Sequence, residues 1–244
     1  MKKLILLAMA FLATPVNADQ VSLGFITSYS PAVYKGLDSN VVPFPMIGYE
    51  GEHIFFRGTG AGYALLPQGT PLNIIFRVQY DSRTLKPEDS DHLGIQQLDE
   101  RNAGVLGGVT FQVITTTGTI EASVGSDIAL NHNGLYAELV FKETFRMGAW
   151  GFKPEIGYAF NDDKLNNHLY GVSAEEAKRS GFSEFDAGWS GQLFVGVSFY
   201  MYLSKNVRLI ASTRYSKLDY DLADSPIIKS DTVLSGVIGA SYIF

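Results

Sequence analysis

Residues 190–203 read SGQLFVGVSFYMYL, and the odd positions Leu193, Val195, Val197, Phe199, Met201 and Leu203 are all apolar. The even positions include Ser190, Gln192, Gly196, Ser198, Tyr200 and Tyr202, so the period is two, the mark of a strand with two unlike faces. At about 14 residues the run is longer than a typical strand of about 5–6, and long enough to cross a bilayer at a tilt. The pattern recurs. Leu72, Ile74, Phe76, Val78 and Tyr80 alternate with Asn73, Arg77, Gln79 and Asp81, and Ile120, Ala122, Val124 and Ile128 alternate with Glu121, Ser123 and Asp127. Leu135, Ala137, Leu139 and Phe141 alternate with Tyr136, Glu138 and Lys142; Val207, Leu209, Ala211 and Tyr215 alternate with Arg208, Ser212 and Arg214. In the closing stretch 231–244, DTVLSGVIGASYIF, the apolar set ends on Tyr242 and Phe244, aromatic rings that suit a membrane interface and an assembly signal.

One such strand would fit a soluble sandwich. About ten of them, joined by tight turns such as TTTG (115–118), NHNG (131–134), RMGAW (146–150) and SKN (204–206), point to an all-β, antiparallel transmembrane barrel. Lys2 and Lys3, the apolar run 4–13 and the small-residue site Val16-Asn17-Ala18 read as a secretory signal peptide over 1–18, leaving 19–244 as a single barrel domain. The apolar run is too short to span a membrane as a helix, which takes roughly 20 residues. The chain has no cysteine, which excludes a lipid-anchored first residue and a disulfide framework. Its net charge of −6, with no basic stripe, argues against a nucleic-acid partner.

Threaded back from the end, SKN, RMGAW and TTTG become short periplasmic turns, and 83–102, 161–188 and 219–231 become longer extracellular loops. About eleven strands are visible, three of them within 42–82. Bacterial single-chain barrels have even numbers, so ten or twelve are expected, with twelve the better fit. Pro154 cannot donate to a ladder and is expected to mark a bulge.

The alternate faces place Arg77, Asp81, Glu121, Asp127, Glu138, Lys142, Lys153, Glu155, Arg208 and Arg214 on the lumen, with both signs interspersed. Paired charges could fill a narrow barrel as a polar core, and no single-sign ring suggests a selective pore. In the longest loop, YGVSAEEAKRSGF sets Ser173 and Glu176 at capping-box spacing before good helix formers, with Gly181 as a left-handed stop. Tyr170, Gly171, Ser173 and Glu176 are candidates for a partner surface; a loop merely stiffened against proteolysis fits as well. Asn161-Asp162-Asp163 reads as a solvated loop. The four histidines fall in turns or loops, no serine sits in a nucleophile elbow and no metal spacing occurs, so neither catalysis nor a cofactor is expected.

Four stretches in order, SPAVYKGLDSNVVPFPMIGYEGEHIFFRG (30–58), YGVSAEEAKRSGFSEFDAG (170–188), LADSPII (222–228) and GASYIF (239–244), resemble the MltA-interacting protein/OmpV family of Gram-negative outer-membrane proteins. The resemblance implies an outer-membrane barrel whose named member is a scaffold for a murein-degrading lytic transglycosylase and a murein-synthesising penicillin-binding protein. Other members are immunogenic surface proteins with proposed roles in adhesion, osmotic response and antibiotic susceptibility. Such a barrel sits among outer-membrane lipid and lipopolysaccharide and is inserted by the barrel-assembly machinery. The family supplies no catalytic residues. Two readings stand: a scaffold working through its periplasmic rim, including 65–71, and a surface receptor, adhesin or small-solute channel working through its loops and lumen. In the second, Tyr34, Lys35 and Asp38 either line an entrance or only shape a turn. Phe244→Ser is expected to impair assembly; wild-type amounts of heat-modifiable folded protein in the outer membrane would count against this reading of the last strand.

Overall fold

The computed structural model describes residues 19–244, so the signal peptide expected over 1–18 lies outside the described residues. The strands are β1 (Gln20–Ser30), β2 (Asn40–Glu50), β3 (Ile54–Arg57), β4 (Gly60–Ala64), β5 (Leu72–Asp81), β6 (Gly104–Thr115), β7 (Gly118–Asp127), β8 (Leu135–Lys142), β9 (Phe145–Met147), β10 (Trp150–Asn161), β11 (Ser190–Tyr202), β12 (Val207–Leu218) and β13 (Thr232–Ile243). Each pairs antiparallel with its neighbour, and β13 pairs with β1, so the sheet closes.

β8 and β9 are two pieces of one stave, which makes the barrel twelve-stranded. Both pieces pair with β10 in a single register, Lys142 with Glu155 and Phe145 with Phe152. The expected bulge is therefore absent. Pro154 instead leaves a break in the ladder: Glu143 donates to its carbonyl at 3.2 Å, and the proline has no N–H to return.

Residues 42–82 hold four strands rather than three. The one left uncounted belongs to the short pair β3 and β4, whose four and five residues are too few to display a period. Loops 31–39, 82–103, 128–134, 162–189 and 219–231 lie at one end, extracellular; turns 51–53, 65–71, 116–117, 148–149 and 203–206 lie at the other, periplasmic, with Phe244, while the short β3–β4 hairpin pairs only with Gly48–Glu50 of β2 and turns back within the wall at 58–59. The outward set is apolar and exposed, as at Leu193, Phe76, Leu139 and Ile238. Tyr29, Tyr158 and Tyr215 mark its extracellular side, and Trp150, Tyr242 and Phe244 its periplasmic side.

The extracellular loops build a second core over the barrel. Tyr34, Leu85, Ile95, Leu98, Leu165, Leu169, Leu222 and Ile227 are among its buried members. Each full burial contributes about 1.5–3 kcal/mol, which offsets the entropy of ordering loops this long. Three helices support it: α1 (Asp163–Tyr170), α2 (Ala174–Ser180) and α3 (Tyr220–Ala223). The N–D–D stretch is no solvated loop at its first two residues: Asn161 and Asp162 are buried, and the Asp162 carboxylate caps α1 by accepting from Leu165 N at 2.9 Å. α2 carries the full capping box between Ser173 and Glu176 and ends on Gly181 at φ 76°. Tyr34 Oη donates to Leu169 O at 2.9 Å and Lys35 Nζ to Pro226 O at 2.6 Å, so these two stitch the cap together rather than line an entrance.

Under the cap, His132 and His168 stand with ring centroids 5.0 Å apart. His132 Nδ1 accepts from Gly134 N, and His168 Nε2 donates to Asn102 O. Burial holds both imidazoles below the ordinary value near 6.5, and the neighbouring ring lowers His168 further; Asp127, 3.7 Å from His132, opposes without prevailing. The folded cap thus binds fewer protons than the unfolded loops, so this part of its stability is complete above about pH 6.5 and lost as pH falls below it. Limited proteolysis of 162–189 is expected to accelerate between about pH 7 and about pH 5, and a His132→Asn/His168→Asn variant to flatten that rise.

Candidate functional site

The lumen is divided by chemistry. On the side of β5 to β10, Glu121 is buried and meets Lys142 Nζ at 3.1 Å, Arg77 Nη2 at 3.2 Å and Gln112 Nε2 at 3.0 Å. The register brings them together. Gln112 lies directly opposite Glu121, and Arg77 lies opposite Gly108, itself opposite Gly125, so no side chain obstructs the reach of the guanidinium. One cluster higher, Arg214 Nη2 meets Glu138 Oε2 at 3.0 Å, Tyr136 Oη donates to the same oxygen at 2.5 Å, and the guanidinium lies 3.4 Å from the Phe194 ring centre. Nearer the periplasm, Arg57 bridges Glu50 at 2.6 Å and Gln68 at 2.6 Å.

The candidate lumenal residues therefore fall into separate groups. Arg77, Glu121 and Lys142 form one, Glu138 and Arg214 another. Asp81 binds Arg83 at 2.5 Å at the extracellular end. Asp127 does not join Glu121; its carboxylate accepts from Ala129 N, His132 N and Asn133 N at 2.9, 2.8 and 3.2 Å and so shapes loop 128–134. Lys153, Glu155 and Arg208 lie on the inward face without an ion pair of their own among the described residues.

The opposite side of the barrel is apolar inside. Ile26, Phe44, Met46, Tyr200, Ile210 and Val237 pack there, from β1, β2 and β11 to β13. Sequence reading missed this half, and it missed the Arg57–Glu50 pair because β3 went unrecognised.

On the cap, an open cavity of about 550 Å³ is lined by Asp99, Arg101, His168, Ser173, Glu176 and Asp186, among others. Arg101, buried, binds Glu176 Oε1 at 2.7 Å and the Gly171 carbonyl at 3.2 Å. Burial alone would raise the Glu176 carboxyl, but the N–H groups of Ser173 and Asp99 and the charge of Arg101 outweigh it and lower it. Of the candidate partner loop, Tyr170 is buried in the core of the cap, while Gly171, Ser173 and Glu176 line the cavity, with Ser173 exposed. At the other end, the Tyr242 and Phe244 rings meet edge-on at 5.0 Å, and Phe244 N donates to Val21 O at 3.0 Å.

Comparison with known proteins agrees with this geometry. The family model described as MltA-interacting protein MipA matches residues 23–244. The MltA-interacting protein of Escherichia coli K12 is 30% identical over 253 residues, covering 100% of both chains. YiaT, an outer membrane protein of the same strain, is 29% identical, covering 98% of this chain and 96% of its own. Among solved structures, an outer membrane channel from Pseudomonas putida F1 aligns over 95% of this chain and 97% of its own, at 10% identity and a TM-score of 0.43. The closed ladder, the apolar outer band and the family match make this chain an outer-membrane β-barrel protein that belongs to the MltA-interacting protein (MipA) family.

Proposed function

We propose that this barrel is a non-enzymatic scaffold that holds a murein-degrading lytic transglycosylase and a murein-synthesising penicillin-binding protein at its periplasmic rim. The name of the Escherichia coli relative supports a murein-enzyme partner. The observation that carries the reading is the turn 65–71, the longest link on that rim. Asn73, itself buried, accepts from Leu66 N at 3.0 Å and donates to Leu66 O at 2.8 Å. Gln68 N donates to Glu52 O at 2.8 Å, Gln68 Nε2 to Gly51 O at 2.7 Å, and Arg57 reaches Gln68 from below. Leu65 and Leu66 are nonetheless exposed. A rigid ledge with exposed leucines loses little entropy on docking. A stable interface of about 800 Å² per side would use this ledge together with neighbouring turns.

The lumenal pairs support a structural barrel over an open pore, since a charge in the interior persists when it is partnered. A second reading, a surface receptor or channel working through the loops, is favoured by the cavity on the cap. Affinity capture from cross-linked envelopes separates the two. The wild-type barrel is expected to recover both murein enzymes and to stay silent in planar bilayers; Leu66→Asp is expected to lose them while remaining folded. Equal recovery with Leu66→Asp, or discrete conductance steps without those partners, would overturn the scaffold. Glu121→Ala, which leaves Lys142 and Arg77 facing each other without a counter-charge, is expected to destabilise the barrel by about 3–5 kcal/mol, read as a lowered midpoint of heat modification.

A further inference from the structure

Loop 128–134 holds Asn133-Gly134, the one Asn-Gly pair in the chain. In such a pair the glycine nitrogen can attack the asparagine side-chain carbonyl carbon, because no Cβ on the glycine hinders the approach. The five-membered imide that results opens with water to aspartate or isoaspartate. Ring closure depends on removing the proton from the glycine N–H.

Here that N–H is bonded to a base. Gly134 N donates to His132 Nδ1 at 3.0 Å, so Nδ1 carries the lone pair, and Nε2 the proton when the ring is neutral. His132 Nε2 stands 3.7 Å from Asp127 Oδ2. Asp127, His132 and Gly134 N thus follow the order of an orienting carboxylate, a base and a nucleophile.

The surroundings fix these three groups and leave the fourth free. Asp127 ends β7 and accepts from Ala129 N, His132 N and Asn133 N. α1 packs against the loop from the other side: a Cβ at position 134 would stand 2.7 Å from Leu165 Cβ and from Leu165 N, so only glycine fits. The His132 side chain is 3% exposed. Asn133, by contrast, is exposed, and its side-chain amide makes no hydrogen bond among the described residues, so it can turn its carbonyl toward Gly134 N. Turn chemistry alone explains an asparagine at φ 53° before a glycine. It does not explain an imidazole seated on the one N–H whose proton must leave, with a carboxylate beside it.

We propose that Asn133 is a self-modification site, converted through a cyclic imide to aspartate or isoaspartate with His132 as the base and Asp127 as its positioning residue. The bond between Gly134 N and Asn133 Cγ forms, and the bond between Asn133 Cγ and Nδ2 breaks. The proton taken by His132 passes to the departing nitrogen, which leaves as ammonia. Water at the exposed loop then hydrolyses the imide, and no oxidant or cofactor enters. Either product adds a carboxylate to the loop that Asp127 organises, and isoaspartate also lengthens the backbone by a methylene. The change loosens the loop that carries His132 under the cap. It happens once per molecule and does not rest on the scaffold reading.

His132 faces Asp127 on β7, Asp81 on β5, Arg83 in loop 82–103, Asp162 before α1 and His168 on α1. Burial outweighs the carboxylates and holds the imidazole below 6.5, so the free base is present at neutral pH.

The test is peptide mass spectrometry of the folded barrel aged in detergent, beside the same chain kept unfolded in urea. Asn133 is expected to convert faster in the folded barrel, by about tenfold or more, while Asn102 and Asn131 stay unchanged. The folded rate is expected to level off above about pH 7, where His132 is already the free base, whereas the rate in urea keeps rising with hydroxide. His132→Gln, shown to be folded by heat modification, is expected to lose both the acceleration and the plateau. A wild-type folded rate at or below the unfolded one would overturn the proposal, as would a folded rate that rises with pH without levelling, or an unchanged rate in folded His132→Gln.

Discussion

The structure depends on one constraint: in hydrocarbon, every backbone N–H and C=O must find its partner within the protein. A sheet meets this only by closing, and here the closure is the ladder between β13 and β1, with Tyr242 opposite Leu23 and Ala240 opposite Phe25. Much else follows from it. The two ends of the barrel domain become neighbours, side chains alternate between lipid and lumen around the whole ring, and the inward side chains must satisfy one another.

Two groups of them do so, each in its own chemistry. Around Glu121 the register supplies two cations and an amide to one carboxylate, and the glycines at 108 and 125 give the guanidinium its path. Across the barrel, Phe44, Met46, Ile210 and Val237 fill space without polar atoms. Ion pairs on one side and packed apolar side chains on the other give these lumenal residues a structural role, which is why the rim and the cap carry the functional argument.

The sequence made the long staves legible because lipid and lumen demand opposite side chains at alternate positions. The lumenal face of Arg77, Glu121, Lys142, Glu138 and Arg214 could be read by parity alone, though not who pairs with whom, since Asp127 turned out to serve a loop. Parity fails where both faces are apolar. The stretch 41–47, VVPFPMI, faces lipid with Val41 and Ile47 and the lumen with Phe44 and Met46, so it shows no period. It fails again in β3 and β4, which are too short, and in the cap, whose core draws on Leu85, Ile95, Leu98 and Leu222 from loops with no common spacing. The capping box of α2 was readable because it is local; Arg101, which neutralises Glu176 from another loop, was not.

The stitching of the cap has a consequence for the order of assembly. Lys35 N donates to Ile227 O, Lys229 N to Val33 O, and Lys229 Nζ to Leu37 O, joining the first extracellular loop to the last. Those loops flank the same seam that β13 and β1 close, and they are remote from each other until it does. The cap therefore works as a latch that can engage only after the two ends of the barrel have met, so a seam left open in the membrane would also leave the surface loops unfastened and visible from outside the cell.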